Sequence, residues 1–268
     1  MTDPFPQRIV CLTEETTEWL YLLGEEHRIV GISGFTVRPP RARKEKPKVS
    51  AFTSAKIDRI VDLEPDLVLG FSDLQADIAA DLIRRGIDVH VFNQRSIEQI
   101  LAMLVQLGAL VGAGERALQW VEDWRRRAEA LRADLPAREA RPWVYFEEWD
   151  DPLISGIRWV SELVELAGGR DCFPELARES LGKNRIIADP AEVLARSPDV
   201  IVGSWCGKKF RPEKVAARPG WDALPAIRDE AIHEVKSALI LQPGPAALTE
   251  GLDELVTIIK AWHARPRA

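Results

Sequence analysis

The stretch Pro65-Asp66-Leu67-Val68-Leu69-Gly70 returns 133 residues later as Pro198-Asp199-Val200-Ile201-Val202-Gly203. In both copies a Pro-Asp pair leads into a short apolar run, which is typical of a buried strand. Because the chain has 268 residues, the offset is about half of its length. A strand repeated at half-length indicates two similar lobes.

The beginnings of the two halves agree as well. In the first half, a buried strand at residues 8–12 is followed by a helical pattern that ends in a Leu-Gly turn. In the second half, residues 143–146 form the strand and residues 159–169 form the helix, which glycine ends. Apolar strands that alternate with helices predict an α/β fold with mainly parallel sheets. Two such lobes predict a ligand cleft between them.

The middle of the chain predicts one long helix. After Gly114, apolar residues recur at helical spacing as far as Leu135, and Pro136 closes the pattern. About 20 residues at 1.5 Å each reach roughly 30 Å, which suits a rigid connection between lobes. The alternative is one more packed helix. We predict an N-terminal α/β lobe at 1–113, a linking helix at 114–136 and a C-terminal α/β lobe at 137–268.

The composition excludes several classes of partner. The net charge is −6 and there is no long basic run, so we expect no nucleic-acid partner. The longest apolar run is about 11 residues, well short of the roughly 20 that a membrane span needs, so we expect no integral membrane protein. Three widely spaced cysteines predict neither a disulfide framework nor a zinc site. The first residues lack the features of a signal peptide, which predicts a cytoplasmic protein, or a periplasmic one if the start was trimmed.

Candidate ligand contacts follow the predicted strands. Ligands of parallel sheets bind beyond the carboxyl ends of the strands, so side chains there are the candidates. Large aromatic residues in these predicted loops suit a large, flat or apolar ligand, although some of them could instead cap the lobe cores. The aromatic candidates are Phe35, Phe52, Phe71, Trp149 and Trp205. The polar candidates are Asn93, Arg95, Glu148, Asp150, Lys208 and Gln242.

Other motifs argue against catalysis. The segment from Gly203 to Lys209 fails the phosphate-loop spacing, because three residues rather than four separate its glycines. Cys206 has no histidine at a predicted cleft position to act as its base. The acidic cluster Glu147, Glu148, Asp150 and Asp151 favours a solvated or ligand-orienting loop over a metal site. We therefore expect no catalytic residue, no metal site and no cofactor.

The order of these features resembles a known family. The segments that carry the likeness are Arg8–Thr13, Val30–Ser33, Ile60–Leu69, Ser204-Trp205 and Gln242–Pro245. Together they resemble the cobalamin and ferric-siderophore binding proteins of ABC importers, most closely the cobalamin branch, over nearly the whole chain. The resemblance implies two Rossmann-like lobes joined by one long helix, with the ligand clasped between the lobes.

The resemblance also implies a docking partner. Members of that family dock on an ABC permease through an acidic residue on each lobe, and Asp58 matches the first of these positions. The second position is Ala191, with Glu192 beside it. A structural alternative is that Asp189, Pro190 and Glu192 cap a helix. Likewise, the carboxylate of Asp58, in the first turns of a predicted helix, would interact favourably with the helix dipole.

The function expected from the sequence is therefore non-catalytic. We predict a monomeric substrate-binding protein of an ABC-type importer that binds cobalamin or a related metal chelate, with the permease as partner if the protein is exported. The alternatives are a cytoplasmic chelatase-like enzyme that handles tetrapyrroles or corrinoids, and a ligand sensor on the same fold. A chelatase needs a base for the pyrrole protons, and none of the four histidines is predicted in a cleft loop.

Overall fold

Two compact units make up the computed structural model, which describes residues 4–265. The first contains residues 4–94 and Glu98–Asp123, and the second contains Arg95–Ile97 and residues 124–265. Residues 1–3 and 266–268, at the ends of the predicted lobes, lie outside the described residues. Each unit holds its own sheet of mainly parallel strands with helices, so the predicted α/β class is confirmed. The predicted lobe boundaries and the ligand cleft stay predictions.

The first unit alternates strands and helices. Its elements are β1 Ile9–Cys11, α1 Glu14–Leu22, β2 Ile29–Ser33, α2 Ala42–Glu45, β3 Lys48–Ser50, α3 Ile57–Val61, β4 Leu67–Phe71, α4 Ala76–Arg84, β5 Val89–Phe92 and α5 Ile97–Leu110, with 3-10 turns at Glu26–Arg28 and Asp73–Gln75. The five strands pair in parallel in the order β3-β2-β1-β4-β5. Buried aliphatic side chains on β1 and β4 pack against α3 and α4. All the carboxyl ends therefore meet at one edge of this sheet.

The predicted long helix is present as α6, Gly114–Ala133. Its first half belongs to the first unit, where Trp120 meets Trp19 of α1 edge to face, with ring centroids 5.2 Å apart. Its second half belongs to the second unit, where the indole N–H of Trp124 donates to the carbonyl of Leu248 at 2.7 Å. Within the described chain, no helix is both long enough and apolar enough to cross a membrane.

The second unit repeats the plan of the first with additions. Its elements are β6 Trp143–Asp150, β7 Leu153–Ser155, α7 Arg158–Leu166, β8 Arg170–Asp171, α8 Ala191–Arg196, β9 Val200–Gly203, α9 Pro212–Ala216, α10 Pro225–Arg228, β10 Ile232–Glu234, α11 Ser237–Ile240, a π-helix at Ala247–Gly251 and α12 Leu252–His263, with 3-10 turns at Arg138–Ala140, Leu176–Arg178, Gly182–Asn184 and Trp221–Ala223. The sheet order is β10-β9-β6-β7, and β8 also pairs with β6. The pairing of β6 with β7 is antiparallel, a departure from the first sheet.

The repeated Pro-Asp pair has the same structural role in both units. The backbone N–H of Asp66 donates to the carbonyl of Arg8 at 3.0 Å, and its carboxylate accepts from the N–H of Arg8 at 2.9 Å. Asp199 makes the same reciprocal pair with Trp143, at 2.9 and 2.8 Å. Each aspartate thus aligns the start of its strand with the start of the unit's first strand.

The residue two positions before each aspartate is also equivalent in the two units. Glu64 and Ser197 both have a φ of +46°, in the left-handed region. Ser197 in this conformation caps the end of α8, whereas Glu64 lies three residues beyond the end of α3. In both units the conformation turns the chain, and the proline next in sequence prevents a helix from continuing. The same turn therefore precedes β4 and β9.

Candidate ligand-binding site

The carboxyl end of the second sheet is built around a buried ion pair. The side chain of Glu147 is fully buried, and Arg218 donates to its two oxygens at 2.5 and 2.9 Å. The same carboxylate accepts from the hydroxyl of Tyr145 and from the indole N–H of Trp205, each at 3.0 Å. Because a buried charge must be paired and hydrogen-bonded, this carboxylate fixes three neighbouring side chains at once.

Lys208 lies against two of the predicted aromatic contacts. Its Nζ is 4.9 Å from the ring centroid of Trp149 and 4.9 Å from that of Trp205. The ammonium is also 2.5 Å from the carboxylate of Asp150. Cation–π attraction and the ion pair act on the same group. The structure therefore brings four of the predicted site residues together.

The predicted loop around Trp149 is wrong. Glu148, Trp149 and Asp150 lie in β6, which continues to Asp150 because β7 pairs with its last residues. In that pairing Trp149 lies opposite Ile154. The hairpin places the indole on a strand, and its N–H donates to the carbonyl of Asp151 at 2.9 Å.

The acidic cluster is not a solvated loop, so that part of the expectation is wrong as well, whereas its ligand-orienting alternative stays a prediction. Glu147 pairs with Arg218, and Asp150 pairs with Lys208. Glu148 accepts two hydrogen bonds, at 2.6 and 2.9 Å, from the buried guanidinium of Arg185. Cations of the same unit thus balance three of the four carboxylates. Residues 4–265 contain no group of three His, Cys, Asp or Glu side chains arranged to hold a metal ion.

The remaining predicted residues of the second unit differ in exposure. Trp205 is only 2% exposed, and its ring meets that of Phe210 edge to face, with centroids 5.0 Å apart. It belongs to the core cluster of this unit, as the alternative for the aromatic residues anticipated. Lys208 is exposed and Gln242 is half-buried.

The carboxyl end of the first sheet carries the other three aromatic candidates. Phe35 is 56% exposed, whereas Phe71 is buried and is the last residue of β4, so its predicted place in a loop is wrong. The ring centroids of Phe52 and Phe71 are 6.4 Å apart. Gln75, which the sequence did not single out, accepts from the N–H of Phe71 and donates to the carbonyl of Phe52, both at 2.8 Å. This amide ties the two segments together.

The polar candidates of the first half lie where β5 ends. Asn93 follows β5 directly and is exposed, and Arg95 is half-buried. Between them, Gln94 is buried and hydrogen-bonds the side chain of Glu15 at the start of α1. The ends of β1 and β5 are therefore connected through side chains.

Two carboxyl groups at the start of α1 hold protons near neutral pH. Burial is the main reason that the pKa of Glu15, which is 2% exposed, is raised from 4.5 to about 7. The carboxylate of Glu18 adds to this rise, whereas hydrogen bonds from the backbone, Thr13 and Gln94 oppose it. Burial also raises the pKa of Glu14 to about 8, again with contributions from Glu15 and Glu18. The guanidinium of Arg43 acts in the opposite direction on Glu14. This part of the first unit is thus less negative at pH 7 than its sequence indicates.

This burial predicts a stability that falls as the pH rises. Because the folded pKa of Glu15 is above its unfolded value, the folded state binds more protons between about pH 4.5 and pH 7. We expect the free energy of unfolding of the wild type to decrease from pH 5 to pH 8. Glu15→Gln removes part of that decrease, and at pH 8 it stabilises the protein by on the order of 1–3 kcal/mol. Urea unfolding of the wild type and of Glu15→Gln at pH 5, 6.5 and 8 measures these free energies.

The control is Glu129→Gln on the exposed face of α6. This substitution should change the free energy of unfolding by less than about 0.5 kcal/mol at each pH, so that its dependence on pH keeps the wild-type slope. If the free energy of unfolding of Glu15→Gln runs parallel to that of the wild type over this pH range, folding does not raise the pKa of this carboxyl group and the prediction is wrong.

The two predicted docking acids lie in short helices. Asp58 is in the first turn of α3, its side chain is 85% exposed, and its carboxylate is 3.1 Å from Arg85. Glu192 is in the first turn of α8, 3.6 Å from Arg196. The carboxylate of Asp189 accepts from the N–H of Ala191 at 2.9 Å, as the helix-cap alternative expects, but the cap residue of α8 is Pro190 rather than Asp189.

Comparison with known proteins agrees with this architecture. Residues 9–239 match the family model described as periplasmic binding protein, so the chain belongs to that family. A "Vitamin B12-binding protein" of Yersinia pestis (strain Pestoides F) is 28% identical over 221 residues, which cover 79% of this chain and 73% of the relative. The predicted resemblance to binding proteins is confirmed.

Solved structures share the fold over almost the full length. The periplasmic vitamin B12 binding protein BtuF of Vibrio cholerae superposes with a TM-score of 0.75 at 21% identity, covering 97% of this chain and 99% of that chain. A periplasmic heme binding protein from Pseudomonas aeruginosa superposes with a TM-score of 0.79 at 22% identity, covering 98% and 95%. The family and these neighbours are binding proteins rather than enzymes.

Proposed function

We propose that this protein is the non-catalytic ligand-binding component of an ABC-type importer and that it binds cobalamin or a closely related metal chelate. Membership of the periplasmic binding protein family and the vitamin B12-binding relatives support this class of ligand. In the second unit, the aromatic and charged cluster at the carboxyl end of β6 is the observation that carries the proposal. It offers an indole face, a cation and a carboxylate within a few ångströms of one another.

Trp149 is the aromatic residue that we expect to contribute most to binding. It is the second-to-last residue of β6, where β6 pairs with β7, and it is half-buried, so part of its ring is accessible. A large planar ligand gains from contact with such a ring both by burying apolar area and by stacking. Lys208 occupies one side of the ring in this structure, so a ligand that stacks there displaces its ammonium.

The test is calorimetric titration of the purified protein with cobalamin, haem and a ferric hydroxamate in turn. We expect saturable binding of cobalamin at micromolar concentration or below. Trp149→Ala should weaken that binding at least tenfold, which corresponds to about 1.4 kcal/mol. The matched control is Trp143→Ala at the other end of the same strand, where the guanidinium of Arg170 covers the ring at 4.2 Å. The affinity of this control variant for cobalamin should stay within twofold of the wild-type affinity.

Two outcomes would contradict the proposal. One is the absence of saturable binding for all three ligands. The other is turnover in an assay of metal insertion into a free porphyrin or corrin, which would identify the chelatase-like alternative. Equal losses in the Trp149→Ala and Trp143→Ala variants would leave the ligand class standing but would reject the assigned position of the site.

We also propose that Asp58 and Glu192 contact the permease. Both carboxylates lie in first helical turns, and the partner of each is an arginine at 3.1 Å or more, so a basic permease surface can compete for them. As part of an importer, the protein would then act outside the cytoplasmic membrane.

A further inference from the structure

An uncharged groove runs along the last strand of the first sheet. It has a volume of about 220 Å³ and lies between β5 and α5. Its lining residues are His90, Val91, Phe92, Asn93, Gln94, Gln99, Ala102, Met103 and Gln106. Whole drug-sized ligands occupy sites of roughly 300–1,000 Å³, so this groove fits a side group of a ligand rather than an entire tetrapyrrole.

The helix wall of the groove is formed by one face of α5. Gln99, Ala102 and Gln106 are three and four residues apart, so they share that face, and all three are exposed. The short side chain of Ala102 leaves space between the two glutamines. Met103 and Phe92 are buried beneath and provide an apolar floor.

The walls of the groove carry amides in place of charges. Among residues 4–265, no lysine, arginine, aspartate or glutamate lines it, and His90 is the one ionisable residue that does. Burial lowers the pKa of His90, so the imidazole is neutral at pH 7. Asparagine and glutamine side chains both donate and accept hydrogen bonds. A ligand carboxylate would find no cation here, whereas a carboxamide would find complementary partners.

We propose that this groove binds an uncharged, carboxamide-bearing side group of the ligand. The inference rests on the proposed function, because Asn93 belongs both to the groove and to the predicted ligand contacts at the carboxyl end of β5. Among the candidate ligands, cobalamin carries carboxamides around its ring, whereas haem carries two carboxylates. The groove therefore favours the corrinoid.

The test fills or charges the groove without disturbing the core. Ala102→Leu blocks the space between the glutamines, and Gln106→Glu introduces a carboxylate. Both positions are exposed, so folding should be unaffected. The matched controls are Ala109→Leu and Ala109→Glu, at an exposed position about one turn further along α5 that does not line the groove. Calorimetry with cobalamin and with haem measures each variant.

We expect Ala102→Leu and Gln106→Glu each to weaken cobalamin binding at least tenfold. Both Ala109 variants should bind cobalamin with an affinity within twofold of the wild-type value. If cobalamin binds the wild type and all variants equally, the groove is not a ligand subsite, although the proposed function stands. If the wild type binds haem and not cobalamin, both the ligand assigned under the proposed function and the role of the groove are overturned.

Discussion

Glu147→Ala is expected to lower the free energy of unfolding by about 3–5 kcal/mol. The substitution leaves the guanidinium of Arg218, whose side chain is 17% exposed, without its carboxylate partner. It also removes the acceptor of the Tyr145 hydroxyl and of the Trp205 indole. An unsatisfied buried polar group costs about 1–3 kcal/mol, and a charged one costs more. Chemical denaturation followed by circular dichroism measures the loss.

The chain offers a matched control for this variant. Glu213→Ala removes the carboxylate of an exposed pair with Arg211, 3.5 Å apart in the same unit, and should cost less than about 1 kcal/mol. The double variant Glu147→Leu/Arg218→Met removes both charges and should recover much of the loss. If Glu147→Ala is no more destabilising than Glu213→Ala, the ion pair does not organise this end of the sheet.

Gly203→Ala is expected to cost about 3 kcal/mol, at the upper end of the usual penalty for overpacking. Gly203 ends β9, and a Cβ at this position would overlap the ring of Phe210. That ring packs edge to face on Trp205, so any shift of Phe210 reaches the candidate site. Thermal and chemical unfolding measure the stability, and tryptophan emission reports the displacement of Trp205.

Gly182→Ala serves as the control in the same unit, because the atoms nearest to its added Cβ lie at 3.7 and 4.0 Å, in ordinary contact. The double variant Gly203→Ala/Phe210→Ala separates overlap from other effects. It should be less destabilised than the sum of its two single variants, because removing the ring removes the overlap. Strict additivity would mean that the cost of Gly203→Ala has another origin.

The parts of the fold that local pattern controls could be predicted from the sequence. The apolar runs at β1, β4, β6 and β9 are strands, and the helical spacing after Gly114 is α6. The Pro-Asp repeat identified equivalent strands in the two units because its role is local to the strand start. These signals depend on residues that are neighbours in sequence or that recur at a fixed period.

The candidate site was less predictable because its contacts join distant residues. Glu147 and Arg218 are 71 residues apart, and Asp150 and Lys208 are 58 apart. Without these cations, an acidic stretch such as Glu147–Asp150 is typical of a loop, so the end of β6 was missed. The three-residue partner strand β7 is too short to show an alternating pattern. Gln75 was missed because its role depends on hydrogen bonds to Phe71 and Phe52 that form only in the folded chain. The raised pKa of Glu15 likewise depends on its burial.

The reciprocal hydrogen bonds of Asp66 and Asp199 separate strand alignment from ligand contact within each half of the molecule. They align the strands from their amino ends, using backbone and carboxylate groups that belong to that half alone. The segments at the opposite ends of the strands are then not needed to set the register. Those segments can change in length and chemistry, as the β6–β7 hairpin shows, while the strands keep their alignment. Substitutions at the carboxyl ends of the strands can therefore change which ligand such a protein binds while the register of its strands stays the same.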